Sequence, residues 1–118
     1  MIRPLIAATI VAAATLSIGA QAPKKAYVLG EIDVTNPQQY AEYMKLSPAA
    51  IEKFGGRFIA RGGRSTTLEG NAARGRVVIV EFPSYERALE FYNSVEYQAA
   101  RKARDGAATV QFVLVEGL

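Results

Sequence analysis

The sequence predicts an α+β fold, because extended apolar stretches alternate with two stretches whose apolar residues recur at helical spacing. From residue 24 onward the order is strand, helix, strand, strand, helix, strand. That order is the ferredoxin-like βαββαβ arrangement, in which four strands form one antiparallel sheet. A second observation is that both faces of this sheet carry apolar side chains, which predicts that two copies pair into a dimeric α+β barrel.

The first strand and first helix are marked by clear boundaries. Residues 27–34 have the alternation of a strand, and Asn36-Pro37 then begins a helix. Asn36 can cap the free amides of the first turn, where the missing N–H of Pro37 is tolerated. Gly55-Gly56 ends this helix in the way a left-handed cap requires. Pro48 lies inside the helical pattern, so we expect a kink or a restart there.

Three further strands are predicted at residues 57–61, 76–82 and 109–116. A weaker extended stretch, residues 65–68, is expected to continue the first of these three, and a polar loop follows it. Ser84 caps the second helix, which bends at Asn93-Ser94 and ends at Asp105-Gly106. Its last turn carries Arg101, Lys102 and Arg104, which we interpret as a solvated helix end that complements the helix dipole.

The predicted sheet has more apolar surface than two helices can cover. If the helices cover the face of Val28, Ile32 and Val78, then Leu29 and Ile79 lie on the other face. The last strand adds either Val113 and Val115 or Phe112 and Leu114 to that second face. Each such side chain gains about 1.5–3 kcal/mol from full burial, and a second copy packing sheet to sheet provides that burial. The sequence therefore predicts a homodimer.

Two residue types are missing from the chain of 118 residues. It contains no Cys, which excludes disulfides, thiolate nucleophiles and Cys-ligated metals. It contains no His, which removes the commonest metal ligand and the usual general base near neutral pH. We therefore expect no metal and no cofactor. The net charge of +3 is too small to indicate a nucleic-acid partner.

The first 22 residues have the pattern of a cleavable signal peptide. Arg3 supplies a positive charge, residues 5–18 carry no charge, and Ala20-Gln21-Ala22 is an A-x-A cleavage pattern. The apolar stretch is shorter than the roughly 20 residues of a membrane-spanning helix. We therefore expect residues 1–22 to be removed, with a cut after Ala20 or Ala22, and no stable membrane insertion afterwards. Residues 23–118 would then form one domain in the periplasm or outside the cell.

From Lys25 to the C-terminus the sequence resembles the bacterial domain-of-unknown-function family numbered thirteen-thirty. The resemblance rests on AYVLGEIDV (26–34), FGGRFIARGG (54–63), EFPS (81–84), FYNS and EYQ (91–94, 96–98) and RDGAA (104–108). Val95 departs from the family pattern, which often has Pro there. The resemblance implies a dimeric α+β barrel and no particular reaction. Relatives in that superfamily include cofactor-free monooxygenases, isomerases and haem-dependent enzymes.

Three charged residues are the candidate catalytic groups. Strand alternation places Glu31, Glu81 and Arg61 on the same face as Leu29 and Ile79, the face that would line the barrel cavity. Two carboxylates held together in apolar surroundings raise the pKa of one of them, which would give an acid/base pair. Arg61 would bind an anionic or enolate-like oxygen. The alternative is a structural ion-pair cluster that fixes the register of the dimer.

The candidate ligand-binding residues are Tyr40, Tyr97 and Arg64. The tyrosines would line a pocket for an aromatic or lipid-like ligand, or they are core residues with hydroxyls at the edge. Arg61-Gly62-Gly63-Arg64 is either an anion-binding loop or a β-bulge between surface arginines. Together these features predict a module that binds a small apolar or anionic molecule. The alternative is a cofactor-independent oxygenase or isomerase that uses the paired carboxylates and the Arg.

Overall fold

The computed structural model describes residues 23–118 and Pro4. Apart from Pro4, the predicted signal peptide and its cleavage site lie outside the described residues. Within residues 23–118, no helix combines the length and the apolar character needed to cross a membrane.

The domain is a four-stranded antiparallel sheet with helices on one face. The strand order is β2-β3-β1-β4, which confirms the predicted ferredoxin-like α+β fold. The elements are β1 (Ala26–Val34), α1 (Pro37–Lys53), β2 (Arg57–Arg61), β3 (Arg76–Phe82), α2 (Tyr85–Tyr92), α3 (Val95–Ala103) and β4 (Ala108–Glu116).

The helix boundaries follow from local capping. At the start of α1, the Asn36 side chain accepts a hydrogen bond from the backbone amide of Gln39. At the starts of α2 and α3, the side chains of Ser84 and Ser94 each accept one from the amide three residues later. The expected bend at Asn93-Ser94 is thus a break between two helices. A restart at Pro48 was a wrong expectation, because α1 continues through it. Buried residues on both sides of Pro48 hold the helix against the core, and the ring removes only one backbone donor.

Residues 62–75 form a loop, so the prediction of an extended strand continuation at residues 65–68 was wrong. Sheet bonding beyond β2 ends with the Gly62 amide, which donates to the Val77 carbonyl over 2.9 Å. The loop rejoins the sheet at Gly75, whose φ is +70°. A Cβ at Gly75 would lie 2.0 Å from the Ile32 carbonyl oxygen, so only glycine fits this turn.

The two faces of the sheet differ in what covers them. Val28, Ile32, Val78 and Val80 face the helices, and the ring of Phe112 packs directly over Gly30. Leu29 pairs with Val113 in the β1–β4 register, which places Val113 and Val115 on the opposite face. The side chains of Leu29, Ile59, Val113 and Val115 are between 40% and 49% exposed. We call these four residues the outer face; its apolar character is as predicted.

Candidate functional site

A cavity of about 40 Å³ lies inside the protomer, between the helices and the covered face of the sheet. Side chains of Val28, Ile32, Val78, Val80 and Phe112 form its floor. The helices contribute Tyr40, Tyr43, Met44, Ser47, Ile51, Phe91 and Tyr97. We call this cavity the tyrosine pocket. It lies on the opposite side of the sheet from the outer face, where the sequence analysis placed the ligand cavity.

The spacing of residues in α1 explains how the helix lines the pocket. Tyr40, Tyr43, Ser47 and Ile51 recur at intervals of three and four residues, so they share one stripe of the helix. All four are buried. Tyr97 comes from the first turn of α3, which packs against α1. Two of the residues in the pocket, Tyr40 and Tyr97, were predicted to bind a ligand.

Tyr43 and Tyr97 form a buried polar pair at the helix side of the pocket. Their hydroxyl oxygens are 2.8 Å apart in a hydrogen bond. Burial is the main cause of a strongly raised pKa for Tyr43, and the neighbouring Tyr97 adds to it. Burial also raises the pKa of Tyr40, although the charges of Arg76, Arg104 and Arg61 oppose the increase. The hydroxyls of Tyr40 and Tyr43 therefore stay protonated near neutral pH.

Arg104 is a pocket neighbour that the sequence analysis missed. We interpreted it as part of a solvated helix end, whereas the structure leaves only 8% of it exposed. Its guanidinium lies 4.8 Å from the centre of the Tyr43 ring and 5.6 Å from that of Phe112. Arg104 caps the C-terminus of α3 and follows the buried Tyr97 and Ala100 at helical spacing, so it continues their stripe. That spacing was a signal in the sequence, but the charge of Arg104 favoured a solvated position.

Arg61 and Arg76 line the pocket near Tyr40, and because Arg61 is exposed the pocket opens to solvent on this side. Arg61 pairs with Val78, and Arg76 is two residues before Val78 on β3. Both side chains therefore point to the helix-covered face, with Cα atoms about 7–8 Å apart as diagonal neighbours. The Nε of Arg76 is buried and has no hydrogen-bond partner among the described residues. Arg76 was not among the candidate site residues predicted from the sequence.

A β-bulge places Arg61 on this side of the sheet. Phe58 pairs with Val80, but Ala60 pairs with Ile79, so the register shifts at Ile59. The extra residue reverses the alternation beyond it. Arg61 consequently does not share a face with Ile59, and the predicted convergence of Arg61 with Glu31 and Glu81 was wrong.

Glu31 and Glu81 share the outer side of the sheet but are not neighbours. Glu31 pairs with Val77, whereas Glu81 pairs with Tyr27, four positions further along. At about 3.4 Å per residue this separates them by about 14 Å along the strands. The expectation of a carboxylate pair that shares a site was therefore wrong.

Glu81 instead belongs to an ion-pair cluster, the structural alternative considered above. Its Oε1 is 3.1 Å from Arg57 Nε and 3.3 Å from Lys25 Nζ, and its side chain is 14% exposed. Partial desolvation opposes ionisation, but hydrogen bonds from Arg57 and Lys25 outweigh it and lower the pKa of Glu81. A lowered pKa is the opposite of what an acid/base pair requires.

Arg64 lies away from the tyrosine pocket. It is an exposed residue of the loop 62–75 and does not line the pocket. The Gly62 amide, which an anion-binding loop would need, is already bonded to the Val77 carbonyl. The bulge interpretation is closer to the structure, although the bulge lies at Ile59 rather than at the glycines. Among residues 23–118, no cluster of three or more acidic side chains could hold a metal ion.

The family model described as "Domain of unknown function (DUF1330)" matches residues 25–118. The chain belongs to this family. No curated protein matches it in sequence. It is similar in structure to RPA0582, a protein of unknown function from Rhodopseudomonas palustris, with 23% identity and a TM-score of 0.63 over 80% of this chain and 83% of that one. The methylated form of RPA0582 gives 22% identity and a TM-score of 0.64 over 81% and 82% of the two chains.

A third similar structure is that of SnoaB, a cofactor-independent oxygenase from Streptomyces nogalater. The identity is 11% and the TM-score 0.59, over 80% of this chain and 94% of SnoaB. At this identity the likeness shows a shared fold and transfers no reaction.

Proposed function

We propose that this member of the DUF1330 family is an exported homodimer that binds a small molecule in the tyrosine pocket of each protomer. The observation that carries the proposal is the pocket itself: an apolar floor, buried tyrosine hydroxyls and two arginines at the opening. Apolar walls with a few convergent polar groups are the usual character of small-molecule sites.

The ionisable groups of the pocket favour binding of an acceptor molecule. Tyr40 and Tyr43 have raised pKa values and remain protonated, and the guanidinium groups of Arg61 and Arg76 have donors only. Such groups hold a ligand with hydrogen-bond acceptors or negative charge. A general base that removes a proton needs the opposite property. Binding is therefore better supported than acid/base catalysis.

The homodimer is proposed from the outer face. Leu29, Ile59, Val113 and Val115 form an apolar surface that the helices do not reach. A second copy that packs its own outer face against this one buries both surfaces around a twofold axis. This arrangement leaves the tyrosine pocket of each protomer on the far side of its sheet.

Export is proposed from the signal-peptide pattern. The positive charge of Arg3, the uncharged stretch and the A-x-A pattern support cleavage and delivery to the periplasm or the medium. Measuring the mass of the mature protein after expression in an exporting host tests this part. A protomer that retains residues 1–22 would contradict it.

A pocket-filling variant tests the binding site. Ser47 is buried in the pocket wall, so Ser47→Leu places extra carbon atoms in the 40 Å³ cavity. Ala49→Leu is the matched control, because Ala49 lies on the same helix but is exposed. A fragment library is screened against residues 23–118 by ligand-observed NMR. We expect fragments that bind the parent and Ala49→Leu but not Ser47→Leu.

Two outcomes would overturn the binding proposal. One is a screen without any binder to the folded parent protein. The other is a set of binders that Ser47→Leu does not displace, which would place the site elsewhere on the protein.

The alternative function is a cofactor-independent oxygenase or isomerase. If it applies, its substrate occupies the tyrosine pocket, because Glu31 and Glu81 lie on the other side of the sheet and far from each other. The test is incubation of each fragment that binds with the protein in air. Conversion of a fragment that stops in Ser47→Leu would support an enzyme, and unchanged fragments would support a binding module.

A further inference from the structure

We infer that the tyrosine pocket selects a small monocarboxylate, with the carboxylate between Arg61 and Arg76 and a short apolar tail inside. This inference rests on the proposed function and narrows it to a class of ligand. Three features of the pocket indicate this class of ligand: the charge at the opening, the apolar floor and the size of the cavity.

The opening carries positive charge without an internal counterion. Within residues 23–118, the carboxylates that form ion pairs do so with other basic residues, and none lies within 4.0 Å of Arg61 or Arg76. Two guanidinium groups on one face of the sheet repel each other, most strongly where water is partly excluded. An anion between them removes the repulsion and gains charge-assisted hydrogen bonds.

Both guanidinium groups are held in place before a ligand arrives. The guanidinium carbon of Arg61 lies 4.2 Å from the centre of the Phe58 ring. Arg76 packs over Gly62, where a Cβ would lie 3.1 Å from its Nε. The Nε of Arg76 is buried, but its two terminal nitrogens are neither buried nor hydrogen-bonded to another described residue, so a ligand oxygen can accept from them. Preorganised, planar donors of this kind match the two oxygens of a carboxylate.

A third donor lies beside the arginines. The Tyr40 hydroxyl makes no hydrogen bond to another described residue, while the Tyr43 and Tyr97 hydroxyls are bonded to each other. Burial keeps Tyr40 protonated, since it raises the pKa of this phenol. Tyr40 can therefore donate to a carboxylate oxygen. A cationic ligand would instead be repelled by the two neighbouring guanidinium groups.

The interior of the pocket limits the rest of the ligand. Its floor consists of Val28, Val78, Val80 and Phe112, which favour an aliphatic chain over a fully hydrated ion. One water needs about 10–15 Å³ of such volume, so the cavity of about 40 Å³ holds about three non-hydrogen atoms. A four-carbon carboxylate has a head at the opening and three carbons inside. Butyrate is therefore the probe of choice.

The experiment is calorimetric titration of residues 23–118 with butyrate, butyramide, octanoate and inorganic phosphate at pH 7. We expect butyrate to bind at least 10-fold more tightly than its neutral isostere butyramide, because only the carboxylate gains charge-assisted hydrogen bonds. Octanoate exceeds the cavity and is expected to bind more weakly than butyrate. Phosphate lacks an apolar tail and is expected to bind more weakly still.

Matched arginine variants locate the site. Arg61→Gln and Arg76→Gln should each weaken butyrate binding by about 10- to 100-fold, the loss of a hydrogen bond to a charged group. Arg74→Gln is the control, since Arg74 is exposed and does not line the tyrosine pocket; it should stay within twofold of the parent. Circular dichroism checks that each variant is folded. If Arg76→Gln does not fold, because Arg76 is the less exposed of the two, Arg61→Gln alone tests whether these arginines bind the carboxylate.

The failures can be told apart. Butyramide or phosphate binding as tightly as butyrate would overturn the carboxylate inference, and so would arginine variants that bind butyrate normally. Tighter binding of octanoate would overturn the limit on chain length. In each of these cases, fragments that bind the parent protein but not Ser47→Leu would still support the proposed function. Absence of any binder, in the fragment screen as well, would overturn both.

Discussion

Replacing Leu29 by Lys should dissociate the proposed dimer. Leu29 lies in the middle of β1 and pairs with Ile79 on one side and Val113 on the other, so it is central to the outer face. It is 40% exposed in the single protomer. Leu68→Lys is the control, because Leu68 is 89% exposed in the loop 62–75, away from the sheet.

The magnitude follows from the exposed fraction of Leu29. Full burial of a leucine side chain is worth about 1.5–3 kcal/mol, so covering the exposed 40% contributes about 1 kcal/mol per protomer. A symmetric interface contains the change twice, which gives about 2 kcal/mol, or roughly 30-fold in the dissociation constant. If the ammonium group of each introduced lysine also loses about 1 kcal/mol of hydration in the interface, the total cost is about 4 kcal/mol. The dissociation constant then rises roughly 1,000-fold.

The assay is sedimentation velocity over a concentration series, with circular dichroism to confirm folding. We expect the dissociation constant to rise at least 30-fold for Leu29→Lys and to stay within threefold for Leu68→Lys. An unchanged dimer in folded Leu29→Lys would refute the placement of the interface on the outer face. Equal weakening by Leu68→Lys would refute it as well, because the loop would then be part of the contact.

Three further predictions concern stability. Gly70→Ala should lower the free energy of unfolding by about 1–2 kcal/mol, because Gly70 has a left-handed backbone and no neighbour in the way of a Cβ. Gly75→Ala should lower it by about 2 kcal/mol more, because a Cβ there also meets a carbonyl oxygen of β1. Equal losses for the two variants in urea unfolding would contradict this. The lowered folded-state pKa of Glu81 makes its contribution present above the unfolded pKa of about 4.3 and lost as pH falls through the folded value. Glu81→Gln should therefore reduce the acid dependence of the unfolding free energy, and an unchanged pH profile would argue against the ion pairs. Tyr97→Phe leaves the Tyr43 hydroxyl buried without its partner and should cost about 1–3 kcal/mol in urea unfolding; an unchanged stability would show that water replaces the bond.

The fold was predictable because its signals are local and repeated. Residues that alternate at period two form β1, a run rich in Val and Ile forms β3, and Asn36 and Ser84 cap helices where the sequence places them. Ser94, where only a bend was expected, caps a separate helix. The apolar outer face also follows from alternation, since it needs only the parity of each strand.

The site was predictable only in part. Tyr40 and Tyr97 were found because helical spacing places them on the buried stripe. Arg61 was assigned to the wrong face, because a single extra residue at Ile59 reverses strand parity and no residue type marks it. Arg104 was taken for a surface residue because of its charge, although it follows Tyr97 and Ala100 at helical spacing. The aromatic rings of Tyr43 and Phe112, over which its guanidinium packs, come from α1 and β4, and the sequence does not show that these elements meet there.

Native mass spectrometry of the full chain, expressed in an exporting host and mixed with butyrate, tests the central claim most directly. We expect a homodimer of protomers that have lost the first 20 or 22 residues and that bind up to two butyrate molecules per dimer. The same experiment with Ser47→Leu should give the dimer without butyrate. A monomer, or a dimer with no more butyrate than the Ser47→Leu protein, would contradict the account.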